Sequence, residues 1–86
     1  MMTYKQINDL KDKFNERTEL RCHDCGNLAK ITLHCGKRYY LYIRCCHCGN
    51  ELGYKYYIDN LSNSDISEYI LLKQMDMMSE IWIKQL

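Results

Sequence analysis

Two short cysteine motifs constrain this chain more than any other feature. Residues 22–26 have the sequence CHDCG and residues 45–49 have the sequence CCHCG, so that the chain has two C-x-x-C-G motifs with nineteen residues between Cys25 and Cys45. The two-residue gap lets both sulfurs of one turn face a single ion, and four thiolates suit Zn²⁺, which prefers tetrahedral sulfur ligands at about 2.3 Å. We therefore predict that one structural Zn²⁺ is bound by Cys22, Cys25, Cys45 and Cys48.

A closed shell of four cysteines argues against catalysis at this metal, because a catalytic zinc keeps one position open for water. The sequence contains no G-x-S-x-G, H-E-x-x-H or phosphate-binding glycine loop. A redox C-x-x-C pair needs a βαβ context, which the pattern lacks. We expect a protein without enzymatic activity or a small-molecule substrate. Two further cysteines, Cys35 and Cys46, are expected to be spectators, although Cys46 could compete with its neighbour Cys45 for the metal.

The metal also compensates for a small core. Of 86 residues, only twenty-six are Ala, Ile, Leu, Met, Phe or Trp, and chains of this size commonly need a brace. We expect one domain over residues 1–86, with an N-terminal helix at 1–19, a metal-binding sheet at 20–58 and a C-terminal helix at 62–86. No apolar run is long enough for a membrane span, and residues 1–13 are too polar for a signal peptide, so a cytoplasmic location without membrane contact is predicted.

The first helix is predicted over residues 3–17, where apolar residues recur at helical spacing and Thr3 and Gln6 match a capping box. Alternating segments at 28–35 and 38–45 predict a β-hairpin, and a third strand is predicted over residues 52–58. A loop with an odd number of residues, around 35–37, best separates the apolar side chains onto one sheet face and the polar ones onto the other. The pairs predicted in that register are Ala29 with Ile43, Ile31 with Leu41 and Leu33 with Tyr39.

The C-terminal helix is predicted from Ser62 onward, with Asp65 and Glu68 as a capping pair. Its apolar arc is wider than one face of a small sheet needs, which predicts a surface for a protein partner or a second copy of the chain. The residues of that arc are Ile70, Leu71, Met75, Met77, Met78, Ile81, Trp82 and Leu86. The alternative is that the first helix covers the extra stripe.

The two C-x-x-C-G motifs and the strands between them resemble the zinc-ribbon group, in which two such turns hold a metal at the base of a three-stranded antiparallel sheet. The resemblance covers roughly residues 20–58 and extends to the four predicted ligands only. It implies a three-stranded antiparallel zinc-ribbon sheet, and both terminal helices lie outside it. Together with the N-terminal and the C-terminal helix predicted above, which flank this sheet, the expected fold class is α+β. It also suggests a partner within the transcription or replication machinery. The composition is rich in residues with AT-rich codons, such as Ile, Lys, Asn and Tyr, which is typical of the AT-rich genome of a phage, a large virus or a low-GC bacterium. For a phage or viral protein, the host cytoplasm would be the location, and a small inhibitor or regulator of host machinery would fit too.

Charge is distributed unevenly, with a net +4 over residues 21–57 and a net −3 over residues 58–86. In the chosen register one sheet face interleaves cations with aromatic rings, a composition that suits single-stranded or distorted nucleic acid. The residues of this face are Lys30, His34, Arg38, Tyr40, Tyr42, Arg44, Lys55 and Tyr57. The alternative is an ordinary solvated sheet face, since sheets favour tyrosine and exposed positions favour Lys and Arg.

Overall fold

A computed structural model of the chain describes residues 3–51, 54–58 and 67–84. Along the chain, the elements are α1 (Tyr4–Arg17), β1 (Leu20–Arg21), β2 (Leu28–His34), β3 (Tyr40–Cys45), β4 (Tyr56–Tyr57) and α2 (Glu68–Lys84). Within these ranges neither helix combines the length and the hydropathy that crossing a membrane requires. The predicted α+β class, with an N-terminal and a C-terminal helix that precede and follow an antiparallel sheet along the chain, is confirmed.

The helix α1 begins with the predicted capping box. The Gln6 backbone N–H donates to Thr3 Oγ1 (3.2 Å), and the Thr3 N–H donates to Gln6 Oε1 (2.8 Å). These two bonds satisfy backbone donors that a helix start leaves unpaired. The narrow apolar stripe of α1 buries Ile7, Leu10 and Phe14.

The described part of the sheet has four antiparallel strands in the order β1-β2-β3-β4, one more than predicted. The additional strand, β1, is only two residues long, and it pairs Leu20 with Ala29 and Arg21 with Leu28. A two-residue strand has too few positions for an alternating pattern, so sequence periodicity could not reveal it. Its pairing continues directly into the first cysteine motif.

The central hairpin keeps the predicted faces but shifts the predicted register by two residues. Ile31 pairs with Ile43, and Leu33 pairs with Leu41; the predicted pairs are therefore wrong, and the connection is longer, over residues 35–39. A slip of two residues leaves every side chain on its own face, since side chains alternate with a period of two. Ala29 lies opposite Cys45, which places the second motif beside the end of β1.

The strand β4 is shorter than the predicted 52–58. It contains only Tyr56 and Tyr57, which pair with Leu41 and Tyr40 of β3. Closer to the second motif, Glu51 forms an isolated bridge with Arg44, and Leu52 lies outside the described residues.

The open edge of β2 is closed by one side chain of α1. Asn15 Nδ2 donates to the Ile31 carbonyl oxygen (2.9 Å), and the Ile31 N–H donates to Asn15 Oδ1 (3.0 Å). The carboxamide thus makes both hydrogen bonds that a neighbouring strand would make, and it fixes α1 against the sheet beyond the end of β1.

The described helix α2 begins at Glu68, and the Ile70 N–H donates to Ser67 Oγ (3.3 Å). The predicted start at Ser62 and the predicted cap Asp65 lie outside the described residues. Four residues predicted to bind a partner are instead core: Leu71, Met75, Met78 and Trp82 are each no more than 2% exposed. They form one cluster with α1 and the inner sheet face, because α1 alone has too narrow a stripe to cover that face.

The second apolar stripe of α2 is only partly covered. Ile81 packs against the core, whereas Ile70 and Met77 are 43% and 49% exposed. Leu86 lies outside the described residues. The accessible part of the predicted partner surface is therefore a much smaller apolar stripe, which contains Ile70 and Met77.

Candidate functional site

The two cysteine motifs form nearly identical turns. In the first, the Cys22 N–H donates to the Asn27 carbonyl oxygen (2.8 Å); in the second, the Cys45 N–H donates to the Asn50 carbonyl oxygen (2.9 Å). The glycine of each motif has a positive φ, 74° at Gly26 and 77° at Gly49. Only glycine adopts this backbone conformation without a steric penalty from Cβ, which explains its place directly after each second cysteine.

These turns bring the four predicted cysteines together. Their Sγ atoms all lie within 4.8 Å of one another, with 3.6 Å between Cys22 and Cys48 and 3.4 Å between Cys25 and Cys45. Four sulfurs at 2.3 Å from a central tetrahedral ion would be about 3.8 Å apart. The donor set and its spacing therefore fit one metal ion held between β1, β2 and the end of β3.

Backbone amides point at the first sulfur of each motif. The Asp24 N–H donates to Cys22 Sγ (3.4 Å), and the N–H groups of His47 and Cys48 donate to Cys45 Sγ (3.3 and 3.4 Å). Such bonds disperse thiolate charge and orient the sulfur lone pairs. Cys22 and Cys45 are also the two buried members of the group, while Cys25 and Cys48 are exposed.

The pKa values of the four thiols diverge. Backbone N–H donation, chiefly from Cys25, lowers the pKa of Cys22, and donation from Cys48 lowers the pKa of Cys45. The Asn27 side chain lowers the pKa of Cys25. At Cys48, the Asn50 N–H also lowers the pKa, but the neighbouring sulfurs and desolvation together raise it to about 12. Without a cation, negative sulfurs repel one another, which favours the protonated form of Cys48.

The other two cysteines lie outside this group. Cys46 is exposed, and its backbone N–H continues the β2–β3 pairing by donating to the Leu28 carbonyl oxygen (2.9 Å). Its side chain belongs to the surface rather than to the sulfur cluster, which removes it as a competitor of Cys45. Cys35 lies in the 35–39 connection, where its Sγ is 2.6 Å from the Tyr4 hydroxyl.

Sequence reasoning missed the two asparagines. Both motifs extend to C-x-x-C-G-N, and that repeated sixth residue was the available signal. Besides the backbone bonds above, the Asn50 side chain Nδ2 lies 4.0 Å from Cys22 Sγ in the opposite motif. Asn50 thereby connects the two turns around the sulfur group.

The first turn also contacts α2. The His23 ring lies 4.8 Å from the Trp82 ring, between centroids, and His23 Nε2 is buried without a hydrogen-bond partner among the residues that the structure describes. The imidazole thus packs on the indole.

The predicted cation and aromatic residues share the sheet face opposite the helices. The ring of Tyr40 is its centre: His34 stacks on it at 4.4 Å, and the rings of Tyr57 and Tyr42 lie at 5.2 and 5.6 Å. Lys55 Nζ lies 4.7 Å from the centroid of Tyr40. We call this group, together with Arg38, the aromatic cluster.

Two predicted residues differ in detail from the expectation. Tyr42 is only 8% exposed, so its ring supports its neighbours and does not offer a free surface for stacking. Arg38 lies in the connection rather than on a strand, yet its Cζ is 3.9 Å from the Tyr57 centroid. Tyr57 itself is 42% exposed and is the most accessible tyrosine of the cluster.

Toward the metal end, Lys30 of β2 lies opposite Arg44 of β3. Both side chains are exposed. On the other side of β3, the backbone of Glu51 forms an isolated antiparallel β-bridge with that of Arg44. The face thus carries four predicted cations, and one carboxylate offsets part of their charge.

Comparison with known proteins finds no matching family model, no similar curated protein and no similar solved structure. The assignment of the metal centre therefore rests on the four sulfurs and their placement. A cluster of four cysteines on an antiparallel sheet is consistent with a zinc-ribbon-like site, and the chain is a small module that could hold one metal ion.

Proposed function

We propose that the metal is a single Zn²⁺ and that its role is structural. Four thiolate donors at tetrahedral spacing favour zinc over oxygen-preferring ions such as Mg²⁺ and Ca²⁺. With four cysteines as ligands, zinc has no coordination position left for water or substrate, which supports a role without catalysis. The ion would join β1, β2 and β3 at one end of the sheet and so contribute its binding free energy to folding.

We further propose that the module binds nucleic acid through the outer sheet face, and that its preferred target is single-stranded. The observation that supports this most is the aromatic cluster itself, in which cations lie directly against tyrosine rings. Aromatic side chains stack on bases of any sequence, while Lys and Arg neutralise phosphates. Both helices pack on the other side of the sheet, which leaves this face accessible.

The exposed ring of Tyr57 is the proposed first stacking position. A base that stacks there takes the place of the Arg38 guanidinium on the ring. Tyr40 supports Tyr57 from below through edge contact, so the ring is already oriented before a base arrives. Preorganisation of this kind lowers the entropic cost of binding.

The test is binding of a fluorescently labelled single-stranded oligonucleotide, measured by anisotropy over a range of salt concentrations. Tyr57→Ala should weaken binding by about 1–3 kcal/mol, the range found for one stacked base. Tyr69→Ala is the matched control, because Tyr69 is also exposed and also has a cation, Lys73, 4.8 Å from its ring, but it lies on α2. The control should bind like the unmodified protein.

Equal loss in both variants, or binding that does not weaken with salt, would contradict the proposal. If the module acts instead through a protein partner, the unmodified protein, which keeps both Tyr57 and Tyr69, would bind no oligonucleotide. In that case Met77→Asp, on the exposed stripe of α2, would be the change that abolishes capture of a partner.

A further inference from the structure

A polar pocket lies where the outer sheet face meets α1. It has a volume of about 340 Å³. Its polar lining comes from α1, β2 and β3 and includes Lys11, Asp12, Asn15, Lys30, Thr32 and Arg44. Three of these side chains are cations, and they come from three different elements.

Lys11 is the unexpected member of this group, because it belongs to α1 and not to the sheet. Its side chain is only 15% exposed, and its Nζ lies 3.1 Å from Asp12 Oδ1. A long side chain held with little exposure loses less entropy when its ammonium binds a ligand. The Asp12 carboxylate is 57% exposed and offsets part of the positive charge.

The pocket is also fixed in shape. Asn15 lines it and is held by its two hydrogen bonds to the Ile31 backbone. The α1 side of the pocket therefore cannot move away from the β2 side without breaking both bonds. Such a preformed, cationic concavity suits an anion.

Two residues connect this pocket to the aromatic cluster's face. Lys30 and Arg44 line the pocket and also occupy the end of the outer sheet face nearest the metal centre. We propose that the pocket binds one phosphate group of a nucleic-acid backbone, so that a strand with a base stacked on Tyr57 continues along Lys30 and Arg44 to Lys11. This inference rests on the proposed function and adds α1 to the binding surface.

The experiment compares Lys11→Gln with Lys13→Gln in the oligonucleotide assay. Both changes remove one positive charge from α1, but Lys13 is exposed and does not line the pocket. Each phosphate contact with a single strand contributes about 0.7 to the salt slope, which corresponds to about fivefold in affinity at 0.1 M salt. Lys11→Gln should lower both the salt slope and the affinity by these amounts, and Lys13→Gln should change neither.

A second pair of variants has the opposite expected sign and keeps both lysines. Asp12→Asn removes the carboxylate beside Lys11 and should raise affinity, whereas Asp9→Asn, an exposed position of α1 outside the pocket, should not. This pair tests the pocket even if Lys11→Gln proves poorly folded in a thermal melt.

The outcomes separate the two proposals. If the unmodified protein binds the oligonucleotide but Lys11→Gln equals Lys13→Gln and Asp12→Asn equals Asp9→Asn, the pocket is wrong and the aromatic face stands. If the unmodified protein binds no oligonucleotide, both proposals are wrong. Inorganic phosphate, added at constant ionic strength, is the third arm: if it raises the melting temperature of the unmodified protein and not that of Lys11→Gln, while Lys11→Gln leaves the oligonucleotide affinity unchanged, the pocket binds free phosphate and the backbone assignment is overturned.

Discussion

The Trp82 indole Nε1 donates a hydrogen bond to the Arg21 carbonyl oxygen at 2.9 Å, across sixty-one residues of sequence. Arg21 is the last residue of β1, and Cys22 follows it immediately. The same indole packs against His23, inside the first cysteine turn. The C-terminal helix is therefore joined directly to the backbone that positions the first metal ligand.

This contact makes Trp82, the single tryptophan of the chain, a reporter of the metal centre. Addition of zinc to metal-free protein should change the Trp82 emission until about one equivalent is bound, because metal binding orders the turn on which the indole rests. A fluorescence titration measures this, and a chelator should reverse it. Metal uptake with unchanged emission would show that α2 and the first turn are not coupled.

Adjacent cysteines provide a matched pair for the ligand assignment. Cys45→Ser should abolish zinc binding and the cooperative thermal unfolding of the domain, since Cys45 is buried in the sulfur group. Cys46→Ser should retain both, because Cys46 is exposed and outside that group. Elemental analysis and a thermal melt of the two purified variants check this, and comparable metal loss in both would contradict the assignment.

Zinc affinity should fall as the pH falls. The pKa of Cys48 is raised to about 12 in the metal-free protein, so at neutral pH its proton must leave before the thiolate can bind zinc. Protons therefore compete with the metal, and more effectively at lower pH. Calorimetric titrations in buffers of different ionisation enthalpy should show release of at least one proton per zinc.

A pH-independent affinity between about pH 6 and pH 8, below the ordinary cysteine pKa, would contradict this mechanism. Calcium provides the control, because it prefers oxygen ligands and should neither bind at the sulfurs nor release their protons.

Asn15→Asp should destabilise the fold by about 1–3 kcal/mol, the cost of leaving a buried polar group without its partner. The change keeps an acceptor for the Ile31 N–H but places a second oxygen opposite the Ile31 carbonyl, where the amide now donates. Urea unfolding measures the loss. Asn8→Asp, elsewhere on α1, is the comparison, and an equal effect at both positions would mean that the closure of the β2 edge contributes little.

Local features of this fold could be predicted where neighbouring residues decide them. The capping box of Thr3 and Gln6 sets the start of α1 within one turn, and it was predicted correctly. The spacing of Cys22 and Cys25 was likewise sufficient to place two sulfurs on one turn. Alternation in β2 and β3 assigned Ile31 and Ile43 to the inner face, because period two is a property of each strand alone.

Pairings across the chain could not be obtained in the same way. The hairpin offset was wrong by two residues because the faces are the same in both registers; the observed offset places Cys45 opposite Ala29, next to the first turn. On α2, the sequence showed two apolar stripes without indicating which one is buried. Packing on the sheet and α1 selected Met75 and Trp82 for the core and left Met77 exposed.

The amino-acid sequence by itself thus determined the four cysteines of the sulfur group, the first helix and the composition of each sheet face, since these follow from spacing over a few residues. The tertiary structure alone decided the strand register, the buried face of α2 and the convergence of Lys11 with Lys30 and Arg44 at one pocket. Those features depend on which distant segments pack together, and the free energy that selects them comes from burial and pairing in the assembled fold.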